Sequence, residues 1–453
     1  MLQEVLSRFE QQSPISVMAR VALEQAMPSG WIDEVFEAHR QRQYPRELLF
    51  STVVELVSLV SLGLRPSLHA AAKQANNLPV SLAALYDKIN RTEPAILRAL
   101  VQGNARRLAP VVAPMGTVPS LPGWRLRVLD GNHLPASEKR LAPLRLHRGA
   151  ALPGHTLVVY DPDSTLVTDI VSCEDAHAQE RSAMAPLLAC AEPGELWIAD
   201  RNFCTHTILQ GWHHARAHFI VREHAKHPRL RHEGELVYCG RVETGDVYEQ
   251  AIGVHEQQDS WRCIELRLDT PTESGDTVVR LWSNLPATVS AQQIAQLYRK
   301  RWRIEGMFQR LESVLHSEIR SFGHPRAALL GFALAVLAYN LLAVLKRSVE
   351  YAHHDCLPQL DVSTYHLAVQ IRSSYEGMLI ALPNSMWEPW SKAEPHRVTQ
   401  RLLALARHAN PKRLATDKRG PKIDKPKGYV DKAVAQTHVS TAKVLKQAKA
   451  RRP

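Results

Sequence analysis

The sequence predicts an α/β protein, a mixed sheet with helices on both faces, interrupted by a β-rich insertion and flanked by helical regions. Three observations predict it. Residues 124–222 alternate strand, hairpin, helix, strand, helix, strand, the order of a sheet with helices packed on it. Residues 223–280 switch to short runs of period two with turn residues between them. Helical patterns fill the chain before about 110 and after 281. The expected divisions are therefore 1–110, 120–222 continued by 281–350, an insertion over 223–280, a helical region over 351–406 and a basic tail over 407–453.

Each element has a local reason. LLFSTVVELVSLVSLGL reads as a buried helix, and Ser67 and Ser81 are N-cap candidates for LHAAAKQ and LAALYDKINR. Two short helices with a tight polar connection suit a helix-turn-helix. A plain helical hairpin fits as well, since only Lys73, Lys88 and Arg91 supply local positive charge. WRLRVLDGNHL is expected to be a strand ending at Asp130, and HTLVVYD-PDS-TLVTDIVSC a hairpin. AHAQERSAMAPLLACA is expected to be a helix, ELWIAD a strand ending at Asp200, THTILQGWHHARA a helix and HFIVRE a strand. GELVYCGR, VYEQAIGVHE, WRCIELRLD and VVRLWSNLP complete the strands. Residues 327–345 run 19 positions without a charge, long enough to raise a membrane span. Tyr339 and Asn340 interrupt the run, so a helix buried within the protein is expected, with no membrane.

Composition narrows the class. Six cysteines without a CxxC pair argue against zinc or a disulfide framework, and MLQEVLSRFEQQ lacks the pattern of a signal peptide, so a reducing cytoplasm is the expected location. The net charge of +11 resides wholly in residues 407–453, which hold 14 Lys/Arg against 3 Asp/Glu. That Pro/Gly/Lys-rich tail suits a polyanion, with nucleic acid the expected partner and a nucleoid-associated location implied, or else it serves only to solubilise.

Three carboxylates stand out. Asp130 and Asp200 each end an apolar strand and precede a polar loop, VLDGN and IADRN. An acid placed there points into the crevice where α/β ligands bind, and two such acids on neighbouring strands call for a divalent cation. Oxygen ligands without a Cys/His cluster favour Mg²⁺ or Mn²⁺. Turn-capping is the simpler role for such acids, and the one assigned to Asp161 and Asp163 in YDPDST. The third acid lies in YRKRWRIEGMFQRLE, read as one helix. At ~100° per residue, Tyr298, Arg301, Glu305 and Glu312 fall within roughly a 60° arc beside the apolar stripe of Ile304, Met307, Phe308, Leu311 and Leu315.

Taken in that order around a β-rich insertion, VLDGN, WIADRNF and YRKRWRIEGMFQRLE resemble the DDE transposases of the IS4 family, over roughly residues 40–350. The tail segments KRGPK, KGYV and HVSTAKVL are similar to that family too. The resemblance implies an RNase H-like fold and a triad of Asp130, Asp200 and Glu305 holding two Mg²⁺ ions, with Mn²⁺ as substitute. It also implies cut-and-paste transposition on double-stranded DNA by a homodimer that pairs the element's terminal inverted repeats. The family's helix pattern is Tyr, two residues, Arg, three residues, Glu, six residues, Lys. Tyr298, Arg301, Trp302 and Glu305 match it, whereas Glu312 stands at the lysine position. Tyr298 and Arg301 are then expected to grip a DNA phosphate. Lys300, Arg303 and Arg310 are the candidates to supply the missing positive charge, and Trp282 is a candidate to stack on an unpaired base or else a core residue. Glu180 and Arg181 in HAQERS are expected to face the same crevice, in an ion pair or at the site. Two other classes fit the same residues: a catalytically silent or domesticated DNA-binding relative acting as a regulator, and an RNase H-like nuclease of RNA–DNA hybrids.

Overall fold

Runs of β-branched, apolar and aromatic residues bounded by turn residues become the strands of one mixed sheet in the computed structural model, which describes residues 1–43, 47–75, 78–116, 118–134, 141, 152–224, 228, 230–253, 260–272, 275–319 and 321–417. The chain opens with seven helices: α1 (Leu2–Gln12), α2 (Pro14–Ala26), α3 (Ser29–His39), α4 (Phe50–Ser61), α5 (Leu68–Gln74), α6 (Leu82–Arg91) and α7 (Pro94–Val112). Ser67 and Ser81 do cap α5 and α6, accepting from the N–H groups of Ala70 at 3.2 Å and Ala84 at 3.3 Å. The sheet region follows: β1 (Arg125–His133), β2 (His155–Asp161), β3 (Leu166–Cys173), α8 (Ala185–Leu188), β4 (Glu195–Ala199), α9 (His206–His214) and β5 (His218–Arg222). Then come β6 (Arg231–Val242), β7 (Gly245–Gly253), β8 (Ser260–Leu268) and β9 (Val278–Ser283). Helices α10 (Ala291–Arg299), α11 (Trp302–Ser313), α12 (Pro325–Ala352), α13 (Thr364–Ala381), α14 (Glu388–Ser391), α15 (Pro395–Ala406) and α16 (Pro411–Leu414) complete the described part.

The strand order is β3-β2-β1-β4-β5-β9-β8-β7-β6. β1 is antiparallel to β2 and parallel to β4, and β4 is parallel to β5. The β-rich stretch extends the same sheet: β9 returns antiparallel beside β5, and β8, β7 and β6 continue outward as a meander. Alternation along β1 sends Leu126 and Val128 into the core shared with α7 and α10 to α12, while Leu129 joins Trp197, Phe203, Ile208 and Trp212 on the other face. Helices thus cover both faces.

Three expectations about local structure change. β1 does not stop at Asp130 but runs to His133, because Asn132 and His133 find ladder partners in Thr156 and His155. The segment expected as a helix over 176–191 holds only a 3-10 turn at Glu180–Ala183 and the single turn α8, where Pro186 has no N–H to carry a longer helix. The segment from Tyr298 is two helices rather than one. Around Lys300 and Arg301 the hydrogen bonds tighten to the i−3 pattern, Lys300 to Leu297 at 2.9 Å and Arg301 to Tyr298 at 3.0 Å, which turns α11 away from α10.

The long apolar run forms α12, 28 residues of which most are buried inside the protein. Its polar residues have specific work. Asn340 is fully buried and accepts from the Val167 N–H at 2.8 Å while donating to the Val167 carbonyl at 2.9 Å, pairing the outer edge of β3. Arg98 of α7 forks onto Asp169 of the same strand at 2.9 and 2.7 Å, so the N-terminal helices are tied to the sheet edge. The basic tail beyond residue 417 lies outside the described residues.

Candidate active site

Sheet register brings the first two acids together. Leu129 of β1 pairs with Ala199 of parallel β4, so Asp130 and Asp200 stand one residue further along on adjacent strands, whose spacing is about 4.8 Å. Because Leu126 and Val128 face the helices α10 to α12, alternation turns Asp130 to that same face. Glu305, in the first turn of α11, reaches the same point through Arg301. The Arg301 guanidinium donates to the Asp130 carboxylate at 3.0 Å and to Glu305 at 2.9 Å. Two aspartates far apart in the chain thus stand on adjacent strands, and the glutamate is linked to the first of them by Arg301.

The electrostatics are strained in a specific way. Burial pushes the Asp130 carboxyl up to about 6; Arg301 opposes this, while Asp200 and Glu180 add to it. Tyr298 is pushed up to about 12, chiefly by burial, and feels both Arg301 and Asp200. Glu305, by contrast, is half-exposed.

Two loops support the acids. The Asp130 carboxylate accepts from the Gly131 N–H at 2.9 Å, and the Asp200 carboxylate caps its own 3-10 turn by accepting from the Asn202 N–H at 2.8 Å. Glu180 joins the two loops. It accepts from the Asn202 side-chain amide at 2.7 Å, lies 3.6 Å from the His133 ring, and packs so tightly over Gly131 that a Cβ there would sit 2.0 Å from its carboxylate. Only glycine leaves room for it. Arg181 next to it turns outward onto Gln179 at 2.7 Å.

The other residues singled out from the sequence separate. Tyr298, Arg301, Trp302 and Glu305 line one cleft of about 810 Å³, with Leu266, Leu268 and Val279 of β8 and β9 in its wall. Trp302 is 54% exposed there. Trp282 is not at this surface: on β9 it is 1% exposed and packed among Phe219, Trp261 and Cys263, so it cannot stack on a base. Its apolar neighbours on both adjoining strands make it a core residue. Lys300 and Arg303 are not beside the acids either. The bend at residues 300–301 directs them across α11, to Ser120 and to the Pro162 carbonyl at 3.1 Å. Glu312, near the end of α11, is exposed.

Arg222 was not picked out from the sequence. Ala199 pairs with Val221, so Arg222 extends the rung of Asp130 and Asp200 onto β5. It is held by Asp276 at 2.7 Å and lines the cleft. The signal was present in HFIVRE: the rule that marks an acid at a parallel strand's end applies equally to a base.

The donor set suits a hard divalent cation, being carboxylate oxygen alone, and the Arg301 guanidinium already acts as a cation between Asp130 and Glu305. In this arrangement no three His, Cys, Asp or Glu side chains among the described residues close around one point tightly enough for an ion, since Arg301 stands between them.

The chain is similar to known transposases. Residues 127–341, just under half of the chain, match the family described as transposase DDE domain. The chain is 26% identical over 294 residues to "Putative transposase y4zB" of Sinorhizobium fredii, covering 57% of this chain and 75% of that protein. It is 27% identical over 267 residues to the transposase for insertion sequence element IS421 of Escherichia coli, covering 49% of this chain and 64% of the relative. Among solved structures it is similar to the piggyBac transposase synaptic complex with hairpin DNA, at 10% identity over 94% of this chain and 91% of that one, with a TM-score of 0.37; a likeness that loose decides nothing.

Proposed function

We propose that this chain, which matches a transposase DDE domain and resembles known transposases, moves an insertion element of the IS4 type, binding the element's terminal inverted repeats and catalysing divalent-metal-dependent cleavage and strand transfer of DNA. The observation that carries this is that sheet register sets Asp130 beside Asp200 while Arg301 bridges Asp130 to Glu305. The strand order β3-β2-β1-β4-β5, antiparallel then parallel, supports reading this part of the sheet as an RNase H-like core.

Asp130, Asp200 and Glu305 would hold Mg²⁺, or Mn²⁺ in its place. When bound, such ions acidify the attacking hydroxyl or water and neutralise charge on the leaving oxygen. The protein's own part is placement. Asp130 and Asp200 are fixed by backbone N–H groups of Gly131 and Asn202, and Glu180 keeps their loops in register. Arg301 is a phosphate ligand in waiting: it has a fork of donors, and its buried Nε–H finds no acceptor among the described residues. Tyr298 beside it stays a neutral hydroxyl donor, its ionisation pushed far above neutral pH. Trp302 offers an exposed ring at the cleft mouth for a base. The N-terminal helices would read the repeats, two chains would pair two ends, and the basic tail would add non-specific grip on DNA in the cytoplasm.

Strand breaks at the element's ends test the proposal. With the gene's natural flanks on a plasmid and Mg²⁺ present, wild type is expected to cut at the ends, and Asp200→Ala to lose cutting by about 10³-fold or more while still binding. Binding without cuts by wild type, in both Mg²⁺ and Mn²⁺, would sink it. Glu312 at the lysine position would then favour a silent, DNA-binding relative, and Glu312→Lys would be the first reversion to try.

A further inference from the structure

Across α11 from the acids lies a second cavity, of about 580 Å³, whose walls come from α11, α12 and the β2–β3 turn. On α11, Arg303, Gly306 and Arg310 follow one another at i, i+3 and i+7, one face of the helix. Gly306 keeps the space between the two arginines open, with nothing within 4 Å of where its Cβ would be. Lys300 enters from the bend before α11, and Lys346 and Arg347 from α12.

The charges here are unequally matched. Lys346 takes Glu350 at 2.7 Å and also contacts Asp361, and the Asp163 carboxylate accepts from the Ser120 N–H at 2.9 Å and from its hydroxyl. Among the described residues, none of Lys300, Arg303, Arg310 and Arg347 has a carboxylate within 4 Å. Each makes do with a neutral oxygen: Ser120 for Lys300, the Pro162 carbonyl at 3.1 Å for Arg303, the Asp163 carbonyl at 2.8 Å for Arg347, and the buried Tyr339 phenol for Arg310. Three guanidiniums carry up to five N–H donors each, and the contacts above engage few of them. Five cations line this cavity against three carboxylates, Asp163, Glu350 and Asp361, and such an excess of like charge is eased where an anion completes it.

We propose that this cavity is a second DNA site, which grips the sugar–phosphate backbone of a segment other than the one held at the acids, with Arg303, Arg310 and Arg347 as its phosphate ligands. The inference rests on the DNA-transposase reading and extends it. The volume lies in the range that encloses a ligand much larger than one small anion, which suits a run of backbone. Forked guanidiniums match phosphate oxygens in pairs, and no base-reading carboxamide lines the cavity, so the contact is sequence-independent. Because α11 carries Glu305 on its opposite flank, backbone held here fixes that helix against the substrate at a distance of about one helix diameter, ~10 Å.

The test is the salt dependence of binding by the full chain, measured by fluorescence anisotropy with a labelled duplex of the element's own end. Each phosphate contact contributes about 0.9 to the slope of log K against log salt. Arg303→Gln with Arg347→Gln is expected to make the slope shallower by about 1.8 and to weaken binding about equally for end and unrelated duplexes, whereas Arg303→Lys with Arg347→Lys restores most of the slope. An unchanged slope in the glutamine double variant, with wild type still binding, would overturn the cavity alone. Absence of salt-dependent binding in wild type would overturn this site and the transposase reading together. Should the double variant fail to fold by thermal melt, Arg303→Gln alone carries the test, at a change of about 0.9.

Discussion

The two flanks of α11 carry charge in opposite ways. On the flank facing β1 and β4, the cation Arg301 is matched by two carboxylates, at 3.0 and 2.9 Å. On the flank facing α12 and the β2–β3 turn, four cations take neutral oxygens as their direct partners, with no carboxylate within ion-pair distance among the described residues. One flank is complete in the absence of ligand and must be opened to work. The other is incomplete and waits to be filled. The difference shows why a count of charged residues on a helix says little about binding: Arg301 and Arg303 are two residues apart, and only their partners distinguish them.

Substitution of these two arginines exposes the contrast most strongly. Arg301→Gln leaves Asp130 buried without its counter-charge, and a loss of about 1–3 kcal/mol is expected, the partial exposure of Glu305 keeping it below the figure for a fully buried pair. Arg303→Gln removes one of four like charges and is expected to change stability by less than ~0.5 kcal/mol. Urea unfolding of the two variants without DNA measures both, and equal losses would break the comparison.

Asp130 provides a pH-dependent version. Its folded carboxyl is held near 6, above its ordinary value of 3.8, so the folded state binds the proton more tightly than the unfolded chain does. Its contribution is therefore unfavourable above about pH 6, shrinks as pH falls through the window from 6 to 4, and is absent below 4. Asp130→Asn is expected to stabilise the metal-free protein by about 3 kcal/mol at pH 7.5 and by less than ~0.5 kcal/mol at pH 3.8, read from denaturant midpoints at the two pH values. A constant difference across that window would show that the aspartate is not strained.

Gly131→Ala probes the support behind the acids. A Cβ must displace Glu180 from its place over the strand and break its bond to Asn202, at a cost of about 1–2 kcal/mol. If that clash is the cause, adding Glu180→Ala to Gly131→Ala recovers part of the loss in a double-mutant cycle. Strict additivity would place the strain elsewhere.

Much of this was legible in the sequence because it depends on neighbours in the chain. Ser67 and Ser81 cap their helices through bonds three residues long, alternation shows which residues of β1 and β2 face which side, and an uncharged run too interrupted for a membrane becomes α12. Asp130 and Asp200 could be singled out because each follows an apolar run. The differences in position share a cause too. Trp282 and Trp302 look equally available in one dimension, yet β9 is walled by β5 and β8 while the start of α11 is not. Lys300 and Arg303 adjoin Arg301 in sequence, but a tightened turn sends them through the other side of the helix. Composition and periodicity thus determined most of the elements, the two serine caps and the pair of acids after apolar runs, since those follow from bonds and burial within a few residues. Only the tertiary structure decided which acid meets which arginine, which tryptophan is buried and which cations go unpaired, because register and crossing elements alone bring residues from distant parts of the chain within the few ångströms over which charge and contact act.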